Sequence, residues 1–326
     1  MKACWYERNG PADEVLVVGD MADPAPAAGE VVVRMRSSAV NPSDVKSRMG
    51  LRAKMTLKRQ VPHSDGAGEI VAVGAGVPAS RIGQRVWVFN AAYLRAGGTA
   101  AELCALPAEF AVPLPRGIDD AQGACLGIPV MTAHRCLFAD GSPTGQTVLV
   151  SGGAGVVGHY AVQLARWAGA EVIATVSGEA KAAHAKAAGA HHVINYRKEN
   201  VAERVKDITG GRGLDRIVEV ELGENLQLDL AMLKPEGVLA FYGSKSPTAE
   251  LPFYAAIVKN VVLRPVLVYT ITPQQRAQCF RDIERWVADG HALFNIAARV
   301  SLAKTAEAHR TVEDGSKIGH VVVDIP

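Results

Sequence analysis

The chain has 326 residues, of which 48% are hydrophobic and 21% are charged. These proportions are ordinary for a globular protein, and they exclude a disordered or fibrous chain. Its 35 Lys and Arg residues against 33 Asp and Glu residues leave a net charge of +2, too balanced for nucleic acid or an anionic membrane to be the main partner. No uncharged apolar run reaches the ~18 residues of a membrane-spanning helix. The first eight residues include the charged side chains Lys2, Glu7 and Arg8 and no apolar signal core, so we expect no signal peptide and a cytoplasmic protein.

The first third of the chain predicts a β-rich domain. Short β-branched runs lie at residues 15–18, 30–35, 69–74 and 85–89. Prolines and glycines separate them, which is typical of strands joined by tight loops.

From about residue 145 the pattern changes to alternating strands and helices. The strand candidates are residues 147–150, 171–176, 192–194, 216–220 and 238–242. The helix candidates between them are residues 156–168, 179–188, 201–208 and 226–233. Continuous apolar strands alternating with helices predict a parallel sheet covered on both faces. A helix over residues 273–289 and a last strand over 320–325 complete the predicted elements.

A glycine-rich segment lies between the first strand and the first helix of this region. It matches G-x-G-x-x-G and consists of Gly153, Ala154, Gly155, Val156, Val157 and Gly158. Glycines in this context allow a tight turn that brings backbone N–H groups and a helix N-terminus to a pyrophosphate. The segment therefore predicts a dinucleotide site, and the alternative is an ordinary glycine-rich turn.

The residues after the second and third strands indicate which dinucleotide binds. An NAD site usually has Asp or Glu at the end of the second strand. Here that strand is followed by Ser177, and Lys181 lies shortly after it. A hydroxyl and an ammonium group suit the 2′-phosphate of NADPH, and Tyr196 could add a phenol donor. The alternative is that Lys181 is solvated and Glu179 binds a ribose hydroxyl, as in an NADH site.

Metal ligands are scarce in the sequence. Catalytic zinc needs three protein ligands of Cys, His or carboxylate type. The five cysteines are scattered at positions 4, 104, 125, 136 and 279, and the one histidine in the segment 62–66, His63, has no cysteine beside it. We therefore expect a zinc-free protein, with His63 at the surface or supporting other residues, and the remaining histidines mostly solvated.

A basic run stands out between residues 46 and 59. Its six cations, with no acid among them, are Lys46, Arg48, Arg52, Lys54, Lys58 and Arg59. Such a run is most often a solvated face or loop, and the functional alternative is attraction of an anionic cofactor or substrate.

Taken in order, the motifs resemble those of the zinc-free quinone oxidoreductases of the medium-chain dehydrogenase/reductase superfamily. The matching segments include residues 41–44, 64–68, 127–133, 153–158 and 242–244. The resemblance implies an α/β fold with a GroES-like β-rich catalytic domain over residues 1–124 and 268–326. A Rossmann domain with a doubly wound parallel sheet, residues 125–267, would be inserted between them and bind NADPH. It also implies a homodimer or a tetramer.

The resemblance further implies roles for individual residues. Asn41 and Asp44 would line the nicotinamide end of the cleft as catalytic positioning residues. The resemblance also adds cofactor-binding residues to those already named in the glycine segment and after the second and third strands. The added residues are Thr132, Asn225, Tyr242, Gly243, Ser244, Val266, Leu267 and Val268. Three positions depart from the family pattern: Arg52 replaces a tyrosine near the substrate, His63 a glycine, and His320 a lysine. A guanidinium at position 52 favours an acceptor that carries a negative group.

The expected function is therefore NADPH-dependent reduction of quinones or other conjugated carbonyl compounds. One alternative is an enoyl-thioester reductase, in which the basic run would meet a phosphorylated carrier. Another is a non-catalytic NADPH-binding protein with a structural or RNA-binding role, although the balanced charge makes nucleic acid an unlikely partner. We expect a homodimer joined through an apolar edge strand around residues 260–268.

Overall fold

A computed structural model describes residues 1–51 and 53–326 of the protein. The chain divides into two compact units, the first formed by Met1–Pro129 with Phe294–Pro326 and the second by Val130–Leu293. The second unit extends beyond residue 267, the predicted end of the inserted domain, because a long helix packs inside it. On that helix, the Cys279 thiol lies 3.2 Å from Nδ1 of His134, and the Trp286 ring meets Tyr160 edge-on.

The first unit contains the antiparallel strand pairs of the described residues. Its elements before the second unit are β1 (Lys2–Trp5), α1 (Ala12–Val15), β2 (Val17–Asp20), β3 (Glu30–Val40), α2 (Pro42–Met49), β4 (Asp65–Val73), β5 (Arg85–Val88), β6 (Leu103–Pro107), β7 (Ala111–Pro113) and α3 (Asp120–Gly123). The helix α4 (Ile128–Phe138) begins in this unit and continues into the second.

The second unit alternates strands and helices. Its elements after α4 are β8 (Thr147–Val150), α5 (Val156–Trp167), β9 (Glu171–Val176), α6 (Glu179–Ala187), β10 (His192–Asn195), α7 (Val201–Thr209), β11 (Leu214–Glu219), α8 (Leu222–Met232), β12 (Leu233–Phe241), α9 (Phe253–Ile257), β13 (Val262–Pro265) and α10 (Pro273–Ala288). The first unit then resumes with β14 (Ile296–Ser301), α11 (Thr305–Asp314) and β15 (His320–Asp324).

The sheet of the second unit positions the candidate nucleotide site. Its six strands are all parallel and follow the order β10-β9-β8-β11-β12-β13. Counted from β8, this is the 3-2-1-4-5-6 order of doubly wound dinucleotide-binding domains. Apolar side chains from its strands and from α7 and α8 form a core that includes Leu149, Ile217 and Leu239. The predicted α/β class with a doubly wound parallel sheet is confirmed.

The first unit is built on a seven-stranded sheet in which β3 pairs with β4, β6 and β15. The predicted strand over residues 15–18 is partly wrong: Val15 ends a short helix, and the strand starts at Val17. Pro11 precedes this helix, and Asp13 and Glu14 lie in its first turn, where acidic side chains favour a helix N-terminus. No helix of the described ranges has both the length and the apolar character needed to cross a membrane.

Candidate nucleotide-binding and active site

The glycine-rich turn connects the end of β8 to the start of α5. Gly152 has a φ of +65°, and the N–H of Gly155 donates to its carbonyl over 2.8 Å. A Cβ on Gly158 would lie only 2.3 Å from that same carbonyl oxygen. Glycine is therefore required where the turn and helix touch, and the first-turn N–H groups of α5 are left for an anion.

Two hydrogen bonds to Thr175 also hold this turn, and the G-x-G-x-x-G motif does not include that residue. Thr175 on β9 accepts the N–H of Gly152 at its hydroxyl over 3.1 Å and the N–H of Gly153 at its carbonyl over 3.0 Å. A Cβ on Gly153 would approach that of Ala174 to 2.7 Å. Gly152 lies one residue before the motif, and the glycine pair at 152–153 was the available signal.

The residues predicted to select the dinucleotide lie at the carboxyl ends of β9 and β10. Ser177 directly follows β9, and Lys181 lies in the first turns of α6. The Lys181 ammonium has no ion pair or hydrogen bond with any residue that the structure describes. Glu179, the alternative ribose ligand, instead accepts from Lys198 over 3.1 Å, and Tyr196 is 51% exposed.

A buried pair of carboxyl groups lies beside the glycine turn. Glu219 ends β11, which pairs with β8, and both Glu219 and Asp229 are 1% exposed. Glu219 accepts from Nδ2 of Asn225 over 3.1 Å, so this predicted cofactor residue is already bonded within the protein. Burial, together with the neighbouring Glu219, raises the pKa of Asp229 to about 9, and burial also raises the pKa of Glu219. The pair therefore holds a proton at neutral pH.

Five of the predicted cofactor residues meet at one cavity of about 620 Å³ in the second unit. These residues are Tyr242, Gly243, Ser244, Val266 and Leu267.

The remaining predicted residues of the second unit lie elsewhere. Val268 is buried at the start of a short 3-10 turn, and Thr132 is buried on α4. Neither lines this cavity, and neither does any residue of the glycine turn.

In the first unit, the predicted positioning residues form a buried cluster around Asp65. The Asn41 N–H donates to Asp44 over 2.8 Å, and its side-chain amide donates to Oδ2 of Asp65 over 2.7 Å. The same Oδ2 accepts the N–H of Ile128 over 2.8 Å. Burial raises the pKa of the Asp65 carboxyl well above its usual value, and a Cβ on Gly127 would collide with it at 2.1 Å. Asp65 was missed as a site residue, although it lies in the motif 64–68.

His63 is part of a buried hydrogen-bonded chain of side chains, so of its two expected positions the surface one is wrong and the one that supports other residues agrees with the structure. The Arg48 Nε–H donates to Nδ1 of His309 over 3.3 Å, which leaves the proton of that ring on Nε2. The Nε2–H of His309 donates to Nε2 of His63 over 2.9 Å, and the Nδ1–H of His63 donates to Oγ of Ser38 over 2.8 Å. From Ser38 the chain continues to Thr99 over 2.7 Å. It ends where the Thr99 hydroxyl donates to the Asp65 carbonyl over 2.6 Å.

Burial keeps the imidazoles of His63 and His309 neutral. Burial lowers the pKa of His63 to about 3 and that of His309 well below its ordinary value. His63 has a φ of +75°, a conformation that suits the glycine of the family pattern better than a histidine. Its two hydrogen bonds offset that strain and support the backbone of Asp65 through Thr99.

The basic run is not one solvated face. Arg48 is fully buried, forms an ion pair with Glu313 and donates to the Gly10 carbonyl. Arg59 pairs with Glu7 at the surface, over 2.6 Å. Arg52 lies outside the described residues. The expectation of mostly solvated histidines is also wrong, since His134, His159, His309 and His320 are buried.

Among residues 1–51 and 53–326, no three His, Cys, Asp or Glu side chains are grouped so that they could hold a metal ion. The five cysteines are free and buried. Within the described ranges, the stacked pair of His63 and His309 therefore has no third side chain beside it that could complete a metal site.

Comparisons with known proteins agree with this architecture. Residues 27–116 match the family model "Alcohol dehydrogenase GroES-like domain", and residues 156–288 match "Zinc-binding dehydrogenase". The quinone oxidoreductase of Rattus norvegicus is 31% identical over 321 residues, which cover 98% of this chain and 95% of the relative. A 2-haloacrylate reductase of Burkholderia sp is 30% identical, with 99% of this chain and 98% of the relative covered.

A solved structure is similar over the same extent. The quinone oxidoreductase of Escherichia coli, in complex with NADPH, superposes with a TM-score of 0.87 and 26% identity, covering 99% of this chain and 100% of that one. A GroES-like β-rich unit and a doubly wound nucleotide-binding unit define the medium-chain dehydrogenase/reductase class. Within that class, this chain belongs to the quinone oxidoreductase family, which confirms the resemblance found in the sequence.

Proposed function

We propose that the protein is an NADPH-dependent, zinc-independent oxidoreductase that reduces quinones or other conjugated carbonyl compounds. The glycine turn at the head of α5, at a place where a Cβ would meet the Gly152 carbonyl at 2.3 Å, is the observation that carries the proposal. It fits a pyrophosphate that approaches the backbone closely. Related quinone oxidoreductases and the NADPH complex of the E. coli protein support the same assignment.

We propose that NADPH is held by residues of the second unit. The glycine turn would bind its pyrophosphate, and Ser177, Lys181 and Tyr196 its 2′-phosphate side. Gly243 and Ser244 would flank the adenosine and ribose, and the segment 266–268 would meet the nicotinamide carboxamide. When bound, NADPH supplies the hydride, so the protein has to orient the acceptor and exclude water. Asn41 and Asp44 are the proposed positioning residues of the first unit, with Asp65 holding the Asn41 amide at 2.7 Å. Zinc independence is supported by the absence of any grouped ligand set in the described ranges.

The cofactor preference is tested by removing the cation proposed to meet the 2′-phosphate. Lys181→Ala should weaken NADPH binding by about 1–2 kcal/mol, the value of a hydrogen bond to a charged group, and leave NADH binding nearly unchanged. Titration of both cofactors by fluorescence measures this. Lys198→Ala is a matched control, because Lys198 is exposed and already paired with Glu179. Equal losses for NADPH and NADH, or tighter binding of NADH by the unaltered protein, would contradict the proposal.

The acceptor class is tested by steady-state turnover with NADPH and small quinones, enones and enoyl-thioesters. We also include 2-chloroacrylate and its methyl ester, because one relative is named a 2-haloacrylate reductase. Turnover of quinones or enones supports the proposal. Turnover confined to enoyl-thioesters would favour the alternative enzyme class, and NADPH binding without any turnover would favour a non-catalytic role.

We further propose a homodimer joined through the second unit. β13 lies at one edge of the six-stranded sheet, and an edge strand is a template for pairing with another chain. The segment leading into it exposes large apolar side chains, with Phe253, Tyr254 and Val258 exposed by 59%, 78% and 73%. A second copy that pairs with β13 would cover both features.

A further inference from the structure

The cavity of about 620 Å³ in the second unit contains a positive charge that the proposed cofactor contacts do not use. Arg135 lies on α4, lines this cavity and is only 7% exposed. Its guanidinium has no hydrogen bond or ion pair with any residue in the described ranges. The side chain is therefore packed in the protein, while its N–H donors have no protein acceptor and remain available to a ligand in the cavity.

The surrounding charges do not neutralise Arg135. A second arginine, Arg264, also lines the cavity, but it is paired with Asp140. Asp140 also faces Arg216 over 3.5 Å, so one carboxylate serves two guanidinium groups. Both charged residues named in the cavity lining are thus arginines, and Arg135 is the one whose N–H donors have no acceptor among the described residues.

The neutral lining sets the size and chemistry of a ligand. The hydroxyl-bearing residues Ser244, Thr248 and Thr270 line the cavity together with the apolar residues Leu222 and Phe241. A guanidinium presents a planar fork of N–H donors that matches a carboxylate or a phosphate. A small organic anion with a short apolar body fits this combination.

We infer that Arg135 binds the anionic group of the acceptor, and that the preferred acceptors are small conjugated carboxylic acids. This inference rests on the proposed reductase function, because the cavity is lined by Val266 and Leu267, which are proposed to meet the nicotinamide carboxamide. Saturating the double bond of such an acid adds a hydride from the reduced dinucleotide at one carbon and a proton from water at the other. The carboxylate is unchanged by the reaction and serves only as the handle for Arg135.

The test compares an acid with its ester, which have the same double bond but differ in charge. We measure kcat/KM for 2-chloroacrylate and for methyl 2-chloroacrylate in the unaltered protein and in Arg135→Met and Arg135→Lys. Arg135→Met should lower the acid-to-ester ratio by about tenfold to a hundredfold, the effect of one charged hydrogen bond. Arg135→Lys should retain part of the preference. Arg212→Met, a change at an exposed arginine outside the cavity lining, controls for net charge and should leave the ratio unchanged.

A binding measurement distinguishes the carboxylate of an acceptor from the phosphates of the dinucleotide. Calorimetric titration with 2-chloropropionate, which has no double bond to reduce, should detect binding to the unaltered protein in the presence of NADP⁺ and a loss of at least tenfold in affinity in Arg135→Met. NADPH affinity should stay within about twofold. If Arg135→Met weakens NADPH instead and leaves 2-chloropropionate binding unchanged, the anion is the dinucleotide and the inference is wrong.

Stability gives an independent result that does not need turnover. Without ligand, Arg135→Met removes a charge that has no partner among the described residues and should not lower the thermal midpoint, whereas replacing an arginine that stabilises the fold would lower it. Because this result and the calorimetry do not depend on reduction, they still decide the role of Arg135 if every acceptor fails. In that event the proposed function fails separately. A lower midpoint together with an unchanged acid-to-ester ratio would overturn the inference.

Discussion

The buried pair Glu219–Asp229 should make the stability of the second unit depend on pH, and Asp229→Asn should remove that dependence. In the folded protein, burial and the neighbouring Glu219 raise the pKa of Asp229 from its ordinary value of 3.8 to about 9. The unfolded chain releases this proton near pH 4, while the folded chain keeps it until about pH 9. The stability contributed by the protonated group is therefore complete below about pH 4 and is lost as the pH rises toward 9.

The size of the effect follows from this shift. One pKa unit is worth about 1.4 kcal/mol. Because the folded protein keeps the Asp229 proton that the unfolded chain releases, its free energy of unfolding is lower by up to about 2 kcal/mol at pH 5.5 and by up to about 6 kcal/mol at pH 8.5. An asparagine is uncharged at every pH and can still donate a hydrogen bond to Glu219. Its stabilising effect should therefore be larger at the higher pH, by up to about 4 kcal/mol. For a unit of this size, each kcal/mol shifts the thermal midpoint by about 2–4 °C.

Calorimetric melting at the two pH values, on the unaltered protein and on Asp229→Asn, measures the difference. Asp215→Asn is the matched control, because Asp215 lies on β11 with Glu219, accepts the N–H of Thr147 over 2.7 Å and pairs with Lys234. That control should lower the midpoint about equally at both pH values. If the midpoint difference between Asp229→Asn and the unaltered protein is the same at pH 5.5 and pH 8.5, the two carboxyl groups do not share a proton.

Three further predictions follow from other parts of the molecule. His63→Gly should relieve the positive φ but leave His309 and Ser38 without their partners, for a net loss of about 1–3 kcal/mol of stability in denaturant melts. His63→Asn, which tolerates this backbone and can still bond Ser38, should lose less stability. Unchanged stability of His63→Gly would refute the role of the hydrogen-bonded chain from Arg48 to Asp65. Light scattering at low micromolar concentration should give twice the chain mass of 34.4 kDa, and Val258→Glu should shift it toward one chain. The control Leu94→Glu, at a side chain 83% exposed in the first unit, should stay dimeric, and a monomeric unaltered protein would contradict the interface. Metal analysis should find far less than one zinc per chain, with activity retained after chelation, and a stoichiometric zinc ion would overturn zinc independence.

Much of the second unit could be predicted from local patterns. Its strands are apolar runs that are buried on both faces, and its glycine motif lies within one strand–turn–helix segment, so neighbouring residues alone indicated both. The strand bounds Thr147–Val150 and Glu171–Val176 agree with the prediction to the residue. The positions of Ser177 and Lys181 after β9 follow directly from those bounds.

The first unit and the polar interior depended on contacts between distant parts of the chain. His63 meets His309 across 246 positions of sequence, and Arg48 meets Glu313 across 265, so no local pattern could show that these cations and imidazoles are buried. The same holds for the proton shared by Glu219 and Asp229, which lie on β11 and α8 and interact only once α8 packs on the sheet.

The sequence by itself determined the fold class, the family and the place of the nucleotide turn, because each rests on short segments whose residue types suit one local geometry. Only the tertiary structure decided which polar groups are satisfied and which are not. Arg135 looks like any other helical arginine in the sequence, yet in the folded protein it is buried at a cavity without a partner among the described residues. The physical reason is that charge and hydrogen-bond compensation belong to pairs of groups, and the fold alone determines which groups become neighbours.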